Sequence, residues 1–354
     1  TLLASSAASD VYKRQVLMDT PAEIVGQATV YLQIYFLGMI PQFIYNMGTN
    51  ILRAVGDSKR PLYFLIIASV VNIVLDVLFV AGFHWGVAGA AIATVISQVA
   101  SAVLTLRCLA GSNGMPWHLD ALSLSIDWAV LRDICRIGLP SAAQSALYSI
   151  SNIMIQASIN GFGTTAVAAW GVYSKIDFLF WMTVSSLGIS ITTFAGQNFG
   201  ARQYDRVRRG TRVCLGMTAA ITVVISALLY PLAGVAFRLF SQDAAVVAQG
   251  VELMHFLVPT YLTYICIEIL AGALRGCGDV RVPTLITVFG VCGLRILWLL
   301  TVVPRTNTIL AVEASYPITW TLSSVLFVLY YLRGGWMPRC IAAQEAAQQT
   351  GAAR

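Results

Sequence analysis

The stretch that decides the fold is LRAVGDSKRP at residues 52–61, because a variant of it, LRGCGDVRVP, returns at residues 274–283. Both copies follow the pattern L-R-x-x-G-D-x-[K/R]-x-P, and a long apolar run comes after each copy. Two copies of one motif in the same apolar setting indicate an internal duplication. Internal duplication is common among secondary transporters, whose folds are often built from structural repeats.

The amino-acid composition indicates an integral membrane protein. Hydrophobic residues make up 58% of the 354 residues and charged residues only 11%, and the mean hydropathy is +0.76. Soluble domains carry charge on about a quarter of their residues. The apolar runs also reach the roughly 20 residues that a transmembrane helix needs. We therefore predict an all-α, polytopic transmembrane helix bundle.

Nine apolar segments are predicted to be transmembrane helices. Pro41 and Pro259 lie within the first and the seventh segment, and a proline inside a helix should kink it. The predicted segments are residues 29–52, 61–83, 87–110, 138–160, 165–195, 211–236, 246–273, 282–303 and 312–332.

The distribution of basic residues predicts the orientation of the chain. When loops are placed alternately on two sides, most of the 22 lysines and arginines fall on one side, and the other side has only Arg238 and Arg305. Cytoplasmic loops are rich in Lys and Arg, so both motif copies and the C-terminus are predicted to face the cytoplasm. The net charge of +6 then follows from topology, and no nucleic-acid partner is expected.

The two repeats are predicted to be parallel. Six predicted segments separate the motif copies, and an even number returns the chain to the same side of the membrane. The second copy ends the fourth helix of a six-helix unit, whereas the first copy ends the first helix visible here. Three helices should therefore precede residue 16, and we expect a twelve-helix, two-lobe transporter of which this chain is the C-terminal three quarters.

The predicted domain boundaries follow from these segments. Residues 1–15 are polar, lack the features of a signal peptide and resemble translated adaptor sequence, so we interpret them as a non-native tail. The other predicted parts are the remainder of the N-lobe with helices 4–6 at 16–110, a cytoplasmic linker between the lobes at 111–137, the C-lobe with helices 7–12 at 138–338, and a cytoplasmic C-terminal tail at 339–354.

The sequence contains no recognisable catalytic or nucleotide-binding motif. It has no Walker A loop, Rossmann fingerprint, H-E-x-x-H or G-x-S-x-G motif, and its three histidines are isolated. Its seven cysteines form no C-x-x-C pair and indicate neither disulfides nor zinc. We predict no enzyme activity and no cofactor, so transport would have to depend on an ion gradient.

A candidate cation-coupling site follows the first motif copy. Asn72 and Asp76 are spaced i, i+4 in an apolar segment, so their side chains share one helical face. A carboxylate at membrane depth is costly and by default indicates an ion or proton pathway. Thr94, on the next segment, is placed to face Asp76. We predict that Asn72, Asp76 and Thr94 bind Na⁺ or take up a proton; a hydrogen bond that only packs helices is the alternative.

Charged residues within the predicted segments of the second half include Lys175 and Asp177 in one segment, Glu268 in another and Arg295 in a third. Four intramembrane charges cannot all face lipid, so we expect Lys175 or Arg295 to pair with Asp177 or Glu268 across a cavity. Such a cavity would bind substrate or merely fix helix packing. Aromatic residues that would line it and contact a cationic ligand are Tyr148, Trp170, Tyr173, Phe178 and Trp181.

Several motifs together resemble the multidrug and toxic compound extrusion (MATE) family. Each motif alone is weak, but the set is specific and covers residues 16–338 in the expected order. The matching runs are the two copies of the repeated motif, NIVLD at 72–76, GVAGAAIAT at 86–94, GLPS at 138–141 and GQNFGA at 196–201.

The resemblance implies a multi-pass antiporter of the bacterial inner (plasma) membrane that exports cationic or amphiphilic compounds in exchange for Na⁺ or H⁺. The family's N-lobe cation site is similar to Asn72, Asp76 and Thr94, but its aspartate on the first helix has no counterpart in this chain. The acid that some members carry in the C-lobe is not clearly matched, because Glu268 is displaced along its helix. We expect a monomer in the lipid bilayer.

Two other functions remain open at this point. A lipid-linked oligosaccharide flippase of the same superfamily would favour a more cationic cavity than two intramembrane basic residues supply. A membrane-embedded scaffold or receptor that transports nothing would leave Asp76 without a role. Efflux of a cation that depends on an ion gradient and on Asp76 would favour the antiporter over both of these alternatives.

Overall fold

A computed structural model describes residues 22–111, 118–119 and 126–352. The regular secondary structure of these residues is helical throughout, which confirms the prediction of an all-α bundle. The predicted tail at residues 1–15 lies outside the described residues. The chain divides into two compact units, which are described separately.

The first unit, Thr1–Ile126, contains the helices around the first motif copy. Pro41 has no N–H to donate to the carbonyl of Leu37, and the first predicted segment is interrupted at Gly38. The described helices of this unit are α1 (Ala22–Leu37), α2 (Met39–Ala54), α3 (Lys59–Asp76), which continues as a π-helix (Val77–Gly82), and α4 (Gly86–Ala110).

The second unit, Asp127–Arg354, contains the other described helices. Pro259 lies in a 3-10 stretch, at the place where the sequence predicts a kink. The helices are α5 (Trp128–Asn160), α6 (Thr164–Gly200), α7 (Tyr204–Arg238), α8 (Ala244–Leu257), a 3-10 helix (Val258–Thr263), α9 (Ile265–Gly276), α10 (Arg281–Ile286), a π-helix (Thr287–Gly293), α11 (Leu294–Thr301), α12 (Val303–Thr306), α13 (Ile309–Leu332) and α14 (Trp336–Ala352).

The first helix of the second unit begins ten residues before the predicted segment, at Trp128 instead of residue 138. Asp127 causes the early start, because its carboxylate accepts hydrogen bonds from the N–H groups of Ala129 (2.8 Å) and Val130 (3.2 Å) and so caps the helix. Residues 128–137 of the predicted linker are therefore helical. Residues 112–117 and 120–125 of that linker lie outside the described residues.

Seven helical stretches in the described part of the chain are long and apolar enough to cross a membrane. The two other predicted segments are helical as well, but the first is split at Gly38 and α5 carries a row of serine, asparagine and glutamine residues. The seven stretches are Lys59–Gly82, Gly86–Ala110, Thr164–Gly200, Tyr204–Arg238, Ala244–Gly276, Arg281–Thr306 and Ile309–Leu332.

Both motif copies end a helix with the same turn. Gly56 and Gly278 have φ values of +91° and +88°, a left-handed conformation that glycine adopts without strain. In copy one the N–H of Asp57 donates to the carbonyl of Leu52 (2.9 Å), and in copy two the N–H of Asp279 makes the equivalent bond (3.0 Å). This is a Schellman C-cap, so the Gly-Asp pair forms a turn, as the sequence predicts.

The aspartates of the two turns have different partners. Asp57 accepts a hydrogen bond from the N–H of Arg60 (3.1 Å) and pairs with its guanidinium (3.3 Å), which keeps the contact within copy one. Asp279 instead accepts a hydrogen bond from the Tyr330 hydroxyl of α13 (2.5 Å). Arg339 of α14 donates to the same hydroxyl (2.8 Å). The second copy therefore connects α13 and α14 to the turn.

The core of the second unit lies around α6, α9 and α13. Phe180 and Tyr261 are fully buried and stack with their ring centroids 4.0 Å apart. Trp320 of α13 is also buried and meets the rings of Trp181 and Tyr264 edge-on. This aromatic core positions the site described below.

A row of glycines brings the backbones of α6 and α9 close together. A Cβ atom added to Gly272 would lie 2.8 Å from the carbonyl oxygen of Gly188, and one added to Gly196 would lie 3.2 Å from that of Gly276. Small residues at such spacing let membrane helices approach each other closely. We call this contact the glycine seam.

The substitution Gly272→Val is expected to destabilise the protein. Its side chain would collide with the backbone of α6, and overpacking of this kind costs about 1–3 kcal/mol. The measurement is thermal unfolding of the purified protein in detergent. Gly216→Val on α7 is the matched control, because a Cβ atom there has no neighbour within 4 Å. An unchanged unfolding temperature for Gly272→Val would contradict the seam.

Candidate functional site

The predicted cation-coupling residues lie on two helices that pack against each other, α3 and α4. Asn72 and Asp76 are half-buried and one turn apart on α3. The amide nitrogen of Asn72 and the Oδ1 atom of Asp76 are buried and have no hydrogen-bond partner among the described residues. Thr94 lies on α4, and its hydroxyl donates to the carbonyl of Ala90 (2.9 Å).

Asp76 is the last α-helical residue before the π-helix Val77–Gly82. Widened turns of this kind are frequent at functional sites, because they change the direction of side chains along one helix. The ring of Phe79 from this turn stacks on Trp85 with centroids 5.0 Å apart. The wide turn thus separates the polar pair from an aromatic cluster.

The chemistry of these three residues suits a single small cation. A carboxylate, an amide oxygen and a hydroxyl are all hard oxygen donors of the kind that alkali and alkaline-earth cations prefer. Among the described residues no group of three or more His, Cys, Asp or Glu side chains is placed to hold a metal ion. Asp76 is the one ionisable residue among the three, so the prediction of a cation-coupling site depends mainly on it.

The second unit contains a cavity of about 570 Å³ whose walls are largely aromatic. We call it the aromatic cavity. Residues of α5, α6, α11 and α13 line it, together with Tyr264, which lies just before α9. Seven of the predicted residues line it: Tyr148, Trp170, Tyr173, Asp177, Phe178, Trp181 and Arg295.

Asp177 is the acidic group of the aromatic cavity. The residue is 9% exposed, its Oδ2 atom accepts a hydrogen bond from the indole N–H of Trp181 (2.6 Å), and its Oδ1 atom is buried without a hydrogen-bond partner among the described residues. The hydroxyls of Tyr173 and Tyr261 are hydrogen-bonded to each other (3.2 Å) in the same region. A carboxylate in this position attracts a cationic group of a ligand, because little water is present to screen its charge.

Arg295 is the basic group of the aromatic cavity and is only 1% exposed. Its guanidinium lies over the ring of Tyr316, 4.2 Å from the centroid, and donates to the hydroxyl of Thr319 (3.1 Å). Its Nε atom has no hydrogen-bond partner. The cation is thus stabilised by an aromatic face and one hydroxyl.

The prediction of an ion pair across the cavity is wrong. Within the described residues, neither Arg295 nor Lys175 comes within 4.0 Å of a carboxylate, and Glu268 approaches Arg275 (3.8 Å) instead. Glu268 and Arg275 are two helical turns apart on α9 and so lie on one face. Trp181 donates to one oxygen of Asp177, and Tyr316 stabilises Arg295, which leaves the two cavity charges separate.

Lys175 and Glu268 do not line the aromatic cavity. Lys175 is exposed, and its ammonium lies 5.6 Å from the ring centroid of Phe240. Glu268 accepts a hydrogen bond from the hydroxyl of Tyr264 (3.1 Å), a residue of the cavity wall. It packs against Gly188, where a Cβ atom would come within 2.6 Å of Oε1.

Several residues of the cavity are absent from the sequence prediction. Tyr316 and Trp320 are spaced i, i+4 on α13, and Asn152 and Gln156 share the same spacing on α5. This spacing places each pair on one helical face, which was the available signal. Glu313 is a further buried acid, 3% exposed, that lies within the last predicted segment but is not among the predicted site residues.

A protein-family model described as MatE matches residues 15–78 and 140–300 of the chain. The chain belongs to the MatE family. MatE proteins are membrane transporters and not enzymes. The family prediction and the prediction of no enzyme activity are confirmed.

Two relatives of this MatE chain come from Bacillus subtilis. The probable multidrug resistance protein YoeA is 31% identical over 89% of this chain and 70% of its own length. The probable multidrug resistance protein YpnP is 29% identical over 74% of this chain, and the match spans only 58% of YpnP. The crystal structure of MATE in the bent conformation covers 98% of this chain and 76% of its own, with a TM-score of 0.84 and 20% identity. That structure shares the fold.

Proposed function

We propose that this MatE protein is an antiporter that exports cationic or amphiphilic compounds, drugs among them, in exchange for Na⁺ or H⁺. The observation that carries the proposal is the aromatic cavity with the buried carboxylate of Asp177. Its volume of about 570 Å³ falls within the range of about 300–1,000 Å³ that is usual for ligand pockets. The names of the relatives YoeA and YpnP, probable multidrug resistance proteins, point the same way.

Substrate binding in the aromatic cavity would depend on ring faces and on one acid. Cations are attracted to the faces of Trp, Tyr and Phe by about 0.5–2 kcal/mol per contact, more when water is excluded. Trp170, Trp181 and Trp320 supply such faces, and Asp177 supplies the opposite charge. A flat aromatic cation such as ethidium has both features that these walls recognise.

Coupling to the ion gradient would depend on Asp76. Binding of a proton or Na⁺ neutralises this carboxylate and so changes the relative stability of the states that bind and release substrate. An ion shifts that balance only if it binds one state more tightly than the other. The unpartnered Oδ1 atom of Asp76 is available for the ion. Both motif copies and the C-terminus would face the cytoplasm of a bacterium, with the bundle in the plasma membrane.

The charge of the aromatic cavity favours an exporter of cations over a flippase of lipid-linked oligosaccharides. A flippase would favour a more cationic cavity, whereas one arginine and one aspartate line this one. Lys175, the second intramembrane base, is exposed and lies against Phe240. The cavity therefore has no excess of positive charge.

The test is ethidium efflux from loaded cells that express the protein, measured by fluorescence. Dissipating one gradient at a time, Na⁺ with a sodium ionophore and H⁺ with a protonophore, identifies the coupling ion. We expect efflux to stop when one of the two gradients is dissipated. Efflux that continues without either gradient, or that equals efflux from cells lacking the protein, would refute the antiporter.

A further inference from the structure

A second site lies on the exposed side of α6 and α7, in a groove of about 700 Å³. Its floor and walls are apolar, and they include Leu187 and Ile191 from α6 and Val213 and Met217 from α7. Ile191 is buried at the floor, whereas Val213 and Met217 are about half exposed at 53% and 52%. The groove therefore opens at the outer surface of α6 and α7.

One end of this groove is basic. Arg206 and Arg209 line it at the first turns of α7, close to the turn that connects α6 and α7. Arg206 donates to the side-chain oxygen of Gln203 (2.8 Å), which fixes its position beside the turn. Arg209 makes no hydrogen bond or ion pair with another described residue and is exposed. Within the part of the chain that the structure describes, no acidic side chain lines the groove.

The lining of the groove follows one face of α7. From Arg206 at the basic end to Met217 at the apolar end it extends over about 16 Å, at about 1.5 Å per residue. Gly210 makes room for the ring of Phe194, since any Cβ atom at this position would collide with that ring. The groove thus has two parts, a basic end and an apolar length.

We propose that this groove binds an anionic phospholipid, with its phosphate at Arg206 and Arg209 and an acyl chain along Ile191, Val213 and Met217. Arginines at the end of membrane helices bind anionic headgroups, with about 1 kcal/mol gained per basic residue near an anionic membrane surface. The guanidinium group also matches a phosphate with two parallel hydrogen bonds. The acyl chain covers apolar surface that the protein itself leaves exposed.

The features of the groove favour this occupant over others. Inorganic phosphate would use the two arginines but leave the apolar length uncovered. A neutral phospholipid would fill that length but carries a positive headgroup charge close to the arginines. Arg206 and Arg209 also belong to a cluster of five arginines within residues 202–212, which raises the local positive potential.

The experiment measures lipid-dependent thermal stability of the purified protein in detergent. Phosphatidylglycerol should raise the unfolding temperature saturably, while phosphatidylcholine and inorganic phosphate should raise it much less. The double variant Arg206→Gln/Arg209→Gln should need on the order of 10- to 30-fold more phosphatidylglycerol for half the effect. The control variant Arg238→Gln/Arg305→Gln, which removes two arginines elsewhere, should respond as the original protein does.

A second variant tests the apolar part without touching a charge. Met217→Trp places a large ring in the groove at a half-exposed position, so the protein should fold normally but lose most of the lipid effect. An equal response to phosphatidylcholine, or an undiminished response of the double variant, would overturn the proposal. The proposal would also be overturned if the protein formed dimers without lipid and Met217→Trp dissociated them, because a second copy of the chain would then occupy the groove.

Discussion

Replacing Asp76 with asparagine is expected to abolish gradient-driven efflux of ethidium. The substitution keeps the size of the side chain but removes the one ionisable group of the candidate coupling site. The Oδ1 atom of Asp76 is buried and has no hydrogen-bond partner among the described residues, so the charge is available to an ion rather than held by a neighbouring side chain. We expect the efflux rate to fall at least about tenfold, which corresponds to about 1.4 kcal/mol of activation free energy. The remaining efflux should not depend on the ion gradient.

The efflux rate is measured in loaded cells after a Na⁺ or H⁺ gradient is imposed, at equal amounts of protein in the membrane. Asp205→Asn is the matched control, because Asp205 is an exposed acid in the first turn of α7 and should be dispensable. Purified Asp76→Asn protein should still bind ethidium, since the aromatic cavity is built within the second unit alone. Full gradient-dependent efflux by Asp76→Asn would remove this residue from the mechanism.

Removing the two cavity charges is expected to change ethidium affinity in opposite directions. Asp177→Asn takes away the attraction for a cation and should weaken binding at least about tenfold. Arg295→Gln takes away a buried positive charge and should strengthen it. The opposite signs follow because the two charges do not pair, so each acts on the ligand separately.

Quenching of tryptophan fluorescence measures this binding directly, since Trp170, Trp181 and Trp320 line the aromatic cavity. Asp205→Asn and Arg305→Gln are matched controls, because both remove an exposed charge from outside the cavity. An aromatic anion of similar size should show the reverse order of affinities. If both cavity variants weakened ethidium binding equally, the charges would serve helix packing and not ligand recognition.

The hydrophobic pattern predicted the helices well but not their ends. Apolar runs locate the part of a helix that contacts lipid or core, whereas polar caps decide where the backbone bonds begin. Asp127 is such a cap, and it starts α5 ten residues before the apolar run. The repeated Gly-Asp turn was predictable because a left-handed glycine conformation has a strong residue preference.

The sequence predicted most of the residues that line the aromatic cavity but not the partners of its charged side chains. A buried charge on a helix identifies a candidate, yet its partner depends on how each helix is rotated. Glu268 approaches Arg275 of its own helix, and the guanidinium of Arg295 lies over the ring of Tyr316. The i, i+7 spacing of Glu268 and Arg275 was visible in the sequence, whereas the contact of Arg295 with Tyr316 required the packing of α11 against α13.

We expect α6 and α9 to move together as one rigid unit. At the glycine seam the two backbones approach closely, so few side chains lie between them that could change rotamer and absorb a shift. A slide of one helical turn, about 5.4 Å, in one direction would bring Glu268, which shares a face with Gly272, to the place where Gly272 now faces the Gly188 carbonyl. If the aromatic cavity widens or narrows, we expect the change to arise at the end of this rigid pair of helices, where the 3-10 stretch Val258–Thr263 leads into α9.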